Sequence, residues 1–98
     1  MTSLTSKQKK HLRGLAHHLN PVATVGQNGV TEAVVKEISR GLDDHELIKV
    51  KIWCSDQEEL KECMEILSEK LDATLIQVIG HVMVLYRRSQ DSEKRIAL

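Results

Sequence analysis

The residues most able to do chemistry in this chain are Gly26-Gln27-Asn28-Gly29 and the cations that accompany them. A glycine at each end of a four-residue loop lets the backbone turn with φ > 0 and lets another molecule come close. A helix is expected to follow, and its first turn presents backbone N–H groups and a positive dipole end. A phosphate oxygen can be held there without a charged side chain. The same residues also make an ordinary strand-to-helix turn, because Asn-Gly is a common turn dipeptide. Lys10, Arg13 and His17 stand at i, i+3 and i+7, which places them on one helix face, with Lys7 near its edge. Lys49 and Lys51 project from the less apolar face of a strand, beside Trp53. Regularly spaced cations without acidic partners suit a ladder of phosphates, and a solvated polar face is the plainer alternative.

Sharper chemistries fail on spacing. His45-Glu46-Leu47-Ile48-Lys49 begins like HExxH, but Lys49 stands where the second histidine belongs, and the segment reads as strand. His11 and His18 are separated by about 10 Å of helical rise, too far for one zinc ion. Cys54 and Cys63 belong to no CxxC pair and no disulfide framework, which fits a reducing cytoplasm. No GxSxG, Walker A or GxGxxG run occurs. The chain therefore reads as a non-enzyme with no cofactor, no metal and no small-molecule substrate. Trp53 and Tyr86 are its sole aromatic residues, too few for a platform of stacked bases. Any RNA binding then rests on backbone clamping and charge, which respond to shape more than to base identity.

These groups need elements to position them. Thr5 with Gln8 forms a capping box and opens a helix over Thr5–His18, with Leu12, Leu15, Ala16 and Leu19 as its apolar stripe. Asn20-Pro21 ends it. Val22–Val25 reads as a short buried strand, and a second helix is expected over Thr31–Leu42, with Val30, Val34, Ile38 and Leu42 facing the core. Asp43-Asp44-His45 reads as a polar turn. Glu46–Trp53 alternates with strand period, Ile48, Val50 and Ile52 on one face and Leu47, Lys49, Lys51 and Trp53 on the other. Ser55 with Glu58 reads as a second capping box, opening a helix to about Leu71 whose core stripe is Leu60, Cys63, Met64, Leu67 and Leu71. Its opposite face carries Glu58, Glu62, Glu65 and Glu69, which polyanions should avoid. Thr74–Ile79 and Val82–Arg87 flank Gly80-His81, a pair suited to a type II′ hairpin. Residues 89–98 read as a loose tail. The order α-β-α-β-α-β-β implies one α/β domain spanning 1–98, with a four-stranded mixed sheet and helices on at least one face.

The chain has 98 residues and is 41% apolar, enough for one domain with a modest core. No apolar run approaches the roughly 20 residues that span a bilayer. Met1-Thr2-Ser3-Leu4 runs straight into Lys7, Lys9 and Lys10, so no secretory leader is expected and the cytoplasm is the expected compartment. Net charge is zero, but its distribution is uneven. Residues 1–31 hold four bases and no acid, residues 32–72 twelve acids against six bases, and residues 73–98 four bases against two acids. Such a dipole steers a polyanion toward one face. The acidic third helix equally suits a module that docks on another protein.

Several runs, taken in order, resemble the CRM domain (chloroplast RNA splicing and ribosome maturation). They are Leu4-Thr5-Ser6-Lys7-Gln8-Lys9, Leu12-Arg13-Gly14-Leu15-Ala16-His17, Pro21-Val22, Val25-Gly26-Gln27-Asn28-Gly29-Val30-Thr31-Glu32, Glu46-Leu47-Ile48-Lys49-Val50-Lys51, Gly80 and Leu85-Tyr86-Arg87. The length resembles the bacterial stand-alone form, the YhbY family. The resemblance implies a fold related to the C-terminal domain of translation initiation factor three. It also implies RNA binding through the GxxG loop and nearby basic residues, in the manner of KH domains. Bacterial members are associated with precursors of the large ribosomal subunit, which makes ribosomal RNA the implied partner. Many relatives carry a base inside the loop, whereas Gln27 and Asn28 are neutral. Charge must then come from Lys7, Lys10, Arg13, His17, Lys49, Lys51 or Arg87.

Overall fold

The computed structural model describes residues 4–98. Met1–Ser3, on which part of the no-leader expectation rests, lie outside the described residues. The elements run α1 (Ser6–Ala16), β1 (Pro21–Val25), α2 (Glu32–His45), β2 (Leu47–Ile52), α3 (Gln57–Leu71), β3 (Thr74–Ile79) and β4 (Val82–Tyr86), followed by a short 3-10 turn at Ser92–Lys94.

The strands form one mixed sheet in the order β1-β2-β4-β3. β1 pairs parallel with β2, while β4 lies antiparallel to both β2 and β3. Strand β3 is therefore parallel to β2, with β4 between them. The β3–β4 hairpin closes with Ile79 opposite Val82, and Gly80 has φ +58 while His81 stays out of the positive region, as a type II′ turn requires.

Both sheet faces are covered, by different amounts. Ile48, Val50 and Ile52 of β2 join Met83 and Leu85 of β4, Ile38 and Leu42 of α2, and Leu60, Leu67 and Leu71 of α3 in the main core. The opposite face has a smaller core, where Leu12 and Ala16 of α1 pack on Leu47, Ile76, Val84 and Tyr86. Each fully buried Leu or Ile contributes about 1.5–3 kcal/mol, so the two-helix side carries most of the stability. Helix α1 crosses its face with two side chains only. Leu15 and Leu19, expected in its stripe, are 40% and 37% exposed. Leu15 falls on the flank of the narrow contact, and Leu19 lies beyond the helix, which ends at Ala16.

Local chemistry explains the boundaries. The Thr5–Gln8 capping box is present, with Gln8 N donating to Thr5 Oγ1 at 3.1 Å and Thr5 N donating to Gln8 Oε1 at 3.0 Å. Helix α3 starts one residue later than expected. Asp56 caps it by accepting from Glu59 N at 2.8 Å, and Glu59 Oε2 accepts from Ser55 Oγ at 2.7 Å. A carboxylate at the cap also meets the positive end of the helix dipole. Asp43-Asp44-His45 continue α2 instead of forming a turn. Asp43 takes Arg87 and Asp44 takes Lys94, so both acids are held on the helix, and the chain reverses at Glu46, whose φ is +62.

The segment after Arg88 is attached, not loose. Glu46 is fully buried, and its carboxylate accepts from the backbone N–H groups of Ser89 and Ile96. Arg95 Nε donates to the Ser89 carbonyl at 2.9 Å, and Ile96 packs against the smaller core. A buried carboxylate with two backbone donors is satisfied locally and ties the tail to the start of β2. No helix among the described residues is long and apolar enough to cross a membrane.

Candidate nucleic-acid interface

Because β1 and β2 are parallel, both deliver their C-termini to the same end of the sheet. The Gly26–Gly29 loop follows β1 there, Trp53 and Cys54 follow β2, and the Gly80-His81 hairpin tip lies alongside. Gly29 N donates to the Gly26 carbonyl at 3.0 Å, closing a β-turn. Gln27 and Asn28 keep negative φ, so the turn is type I, and only Gly29, at φ +72, needs the left-handed region. Gly26 has no such need, and a Cβ placed on it meets nothing within 4 Å. Its side is open space in front of the turn.

The turn does not lead straight into the helix. Val30 and Thr31 intervene, and Thr31 is the N-cap, its Oγ1 accepting from Val34 N at 3.2 Å. Glu32 places an acid in the first turn of α2. The expected anion cradle at the helix start is thus partly occupied by the chain's own oxygens. Charge complementarity must come from elsewhere.

It comes from the half of the sheet that α1 leaves uncovered. Lys10, Arg13 and His17 lie along one flank of α1, and with Lys49, Gln77 and Ile79 they line a shallow groove between helix and sheet. Lys10, Arg13 and His17 are exposed and Lys49 is half-buried. Lys51, two residues on and on the same strand face, is exposed toward the turn end of the sheet. Lys7 is exposed on α1 but does not line the groove. Among the described residues, the two ion pairs are Arg87–Asp43 and Lys94–Asp44, and neither engages a cation of this face.

Arg87 does not join this surface. It follows Met83 and Leu85 on the two-helix side, where its guanidinium donates to four acceptors. These are the Leu71 carbonyl at 2.9 Å, the Ser39 carbonyl at 3.0 Å, Ser39 Oγ at 3.1 Å and Asp43 Oδ1 at 2.8 Å. The planar fork rivets β4 to α2 and α3 and has little left for a ligand. Strand alternation fixes this: 83, 85 and 87 share one face.

Gln77 is the polar groove residue that sequence reasoning omits. A β-bulge between Leu75 and Gln77 shifts the register, so that Gln77 pairs with Val84 on the α1 side. Periodicity gives no warning of such a shift.

One further polar contact lies at the turn end. Cys54 Sγ is 3.4 Å from His81 Nδ1, an arrangement that could suggest an activated thiol. Partial burial, then the Glu59 and Asp56 carboxylates, push that thiol up instead. A thiol held protonated is a poor nucleophile. Among the described residues no three His, Cys, Asp or Glu side chains group as a metal site would need.

A small mixed sheet with two helices on one face, one helix on the other, and a glycine turn beside a cationic half-face defines a compact α/β domain with a surface suited to polyanions. The chain belongs to the CRS1/YhbY (CRM) domain family, whose model matches residues 4–87. It is 47% identical over 93 residues to a Haemophilus influenzae protein named "RNA-binding protein", covering 95% of this chain and 94% of that one. It is 38% identical over 91 residues to "Probable RNA-binding protein YqeI" of Bacillus subtilis, covering 93% and 95%. Among solved structures, the solution structure of a Staphylococcus aureus hypothetical protein, proposed there to bind RNA, superposes with a TM-score of 0.81 at 39% identity, covering 96% of this chain and 98% of that one.

Proposed function

We propose that this chain is a non-catalytic RNA-binding factor acting on precursor ribosomal RNA of the large subunit. The observation that carries the reading is the gathering of Lys10, Arg13, His17 and Lys49 in one groove, with Lys51 and the glycine turn beyond it on the same side of the sheet. The RNA backbone lies along this half-face, its phosphates met by the cations, and passes close to the turn at Gly26. The names carried by relatives support RNA as the ligand class. The ribosomal target follows from the resemblance to bacterial members of the family. Thr31 and Glu32 at the helix start, and the neutral Gln27 and Asn28, leave the turn as a close-approach surface with the attraction supplied by its neighbours.

Binding to a ribosomal RNA fragment tests this through its salt dependence. Four phosphate contacts give a slope of about −3 in log K against log salt for a single strand. A flat dependence overturns the reading. Gly26→Val tests the turn, since its added side chain projects into open space and requires no positive φ. Unchanged affinity removes the turn from the interface.

A second reading has its own observation. Leu15, Leu19 and Val22 are exposed around a hollow completed by His45 and Ile96, on the flank of α1 away from the cations. This suits docking on a protein component of a ribonucleoprotein. Nuclease treatment of an isolated complex separates the two, because association through protein survives it.

A further inference from the structure

The turn end of the sheet carries two large apolar side chains that belong to neither core, Ile79, 49% exposed, and Trp53. Trp53 is 56% exposed. Its neighbours in the chain fix its direction. Ile52 is fully buried in the main core, and Cys54 packs against that core from the same side. Trp53 stands between them, so its indole projects to the opposite side, the side of Lys49 and Lys51. Its backbone is held in place, because Trp53 N donates to the Val25 carbonyl at 2.9 Å and so extends the β1–β2 ladder by one step. Val25 immediately precedes the turn at Gly26. The indole thus stands on an anchored backbone, between a lysine and an open glycine turn. Tyr86, the other aromatic, is buried in the smaller core and offers no surface.

We propose that Trp53 is the stacking surface for a single unpaired base of the bound RNA, presented while the flanking phosphates are held by Lys51 and the Gly26–Gly29 turn. This rests on the RNA-binding reading above and deepens it by naming the RNA conformation. A base can reach an indole face only if it is splayed out of its helix, as in a loop, a bulge or a strand end. A continuous duplex shields its bases and would meet the cations alone. One ring takes one base, and stacking on it is indifferent to base identity, because every base has a π-face. The charge pattern favours this occupant over an apolar protein segment, since Lys49 and Lys51 line the approach to the indole.

Trp53 is the only tryptophan of the chain, so its fluorescence reports this position without mutation. The full chain is titrated at fixed salt with an RNA hairpin bearing a single-stranded loop, and with a blunt duplex of the same length. The hairpin is expected to quench the Trp53 emission and the duplex to leave it nearly unchanged. Trp53→Ala should weaken hairpin binding about ten-fold, within the range that removal of a base-stacking aromatic produces, and leave duplex binding unaltered. Trp53→Phe, which keeps a ring, should restore most of the loss. The exposed position keeps both variants folded, and circular dichroism checks that they are. Hairpin binding with steep salt dependence, unquenched emission and an unaffected Trp53→Ala overturns the stacking proposal and leaves the RNA reading standing. Equal loss on hairpin and duplex also overturns it. If neither RNA binds the unaltered chain at all, the RNA reading itself fails, and this proposal with it.

Discussion

The two ends of the sheet treat charge in opposite ways. At the end where β2 begins, the charges of Glu46 and Arg87 are consumed by the fold. Glu46 takes two backbone donors, and Arg87 takes four acceptors on two helices. At the end where β2 finishes, and over the half-face leading to it, the cations face solvent beside a glycine turn and an exposed indole. Formal charge is therefore a poor guide to a binding surface. What matters is whether carbonyls and carboxylates already surround the charged group, because a guanidinium with most of its donors engaged gains little from a phosphate.

The comparison breaks most visibly at Arg87. Arg87→Met leaves the Leu71 and Ser39 carbonyls without their donor and is expected to cost about 3 kcal/mol, read by urea unfolding. The exposed Asp43 partner adds little to that figure. RNA affinity of the folded fraction should not change, and a selective loss of affinity would return Arg87 to the interface. Glu46→Ala follows, at about 2 kcal/mol, because two N–H groups lose their acceptor. Trypsin should then cut faster after Arg88, which limited proteolysis would detect. Glu46→Gly loses the same acceptor but relieves a positive φ, so it should be about 1 kcal/mol less damaging than the alanine variant.

The other end responds through binding and not through stability. Lys49→Ala with Lys51→Ala should leave the unfolding midpoint within about 0.5 kcal/mol of the parent, as exposed charges do. It should flatten the salt slope by about 1.4, two single-strand phosphate contacts. A slope identical to the parent's would move the RNA off this face. Gly29→Ala should cost about 1 kcal/mol, for its φ of +72, while Gly26→Ala costs nothing measurable. The smallest effect concerns Cys54. Its raised thiol should alkylate with iodoacetamide more slowly than a free cysteine at pH 8, with the gap closing as pH rises through its elevated pKa.

Much of this was legible along the chain. The capping box at Thr5 and Gln8, the alternation of β2 and the glycine that opens the hairpin are local signals, and each produced its element. Misplacements occurred where a distant partner overrode the local pattern. Asp43 and Asp44 look like a turn, but α2 runs on through them to His45, where they meet Arg87 and Lys94. Residues 89–98 look unattached until Glu46 receives them. Leu15 and Leu19 fit a helical stripe, but a helix lying on a small sheet buries a narrower band than periodicity alone suggests.

The candidate surface divides the same way. The identity of the turn, the one-sided cations of α1 and the lysines of β2 follow from residue type and spacing, because helix and strand periods assign faces without knowledge of the rest. Which faces meet is not encoded in any one period. The packing of Leu12 and Ala16 set α1 across half the sheet, and that placement brought Lys10, Arg13 and His17 beside Lys49. Strand parity put Arg87 on the opposite side, where α2 and α3 surrounded it with acceptors. The parallel pairing of β1 and β2 carried Trp53 to the turn. Composition and spacing determined the groups available to meet a polyanion, and the long-range burial of apolar faces decided which of them stand together.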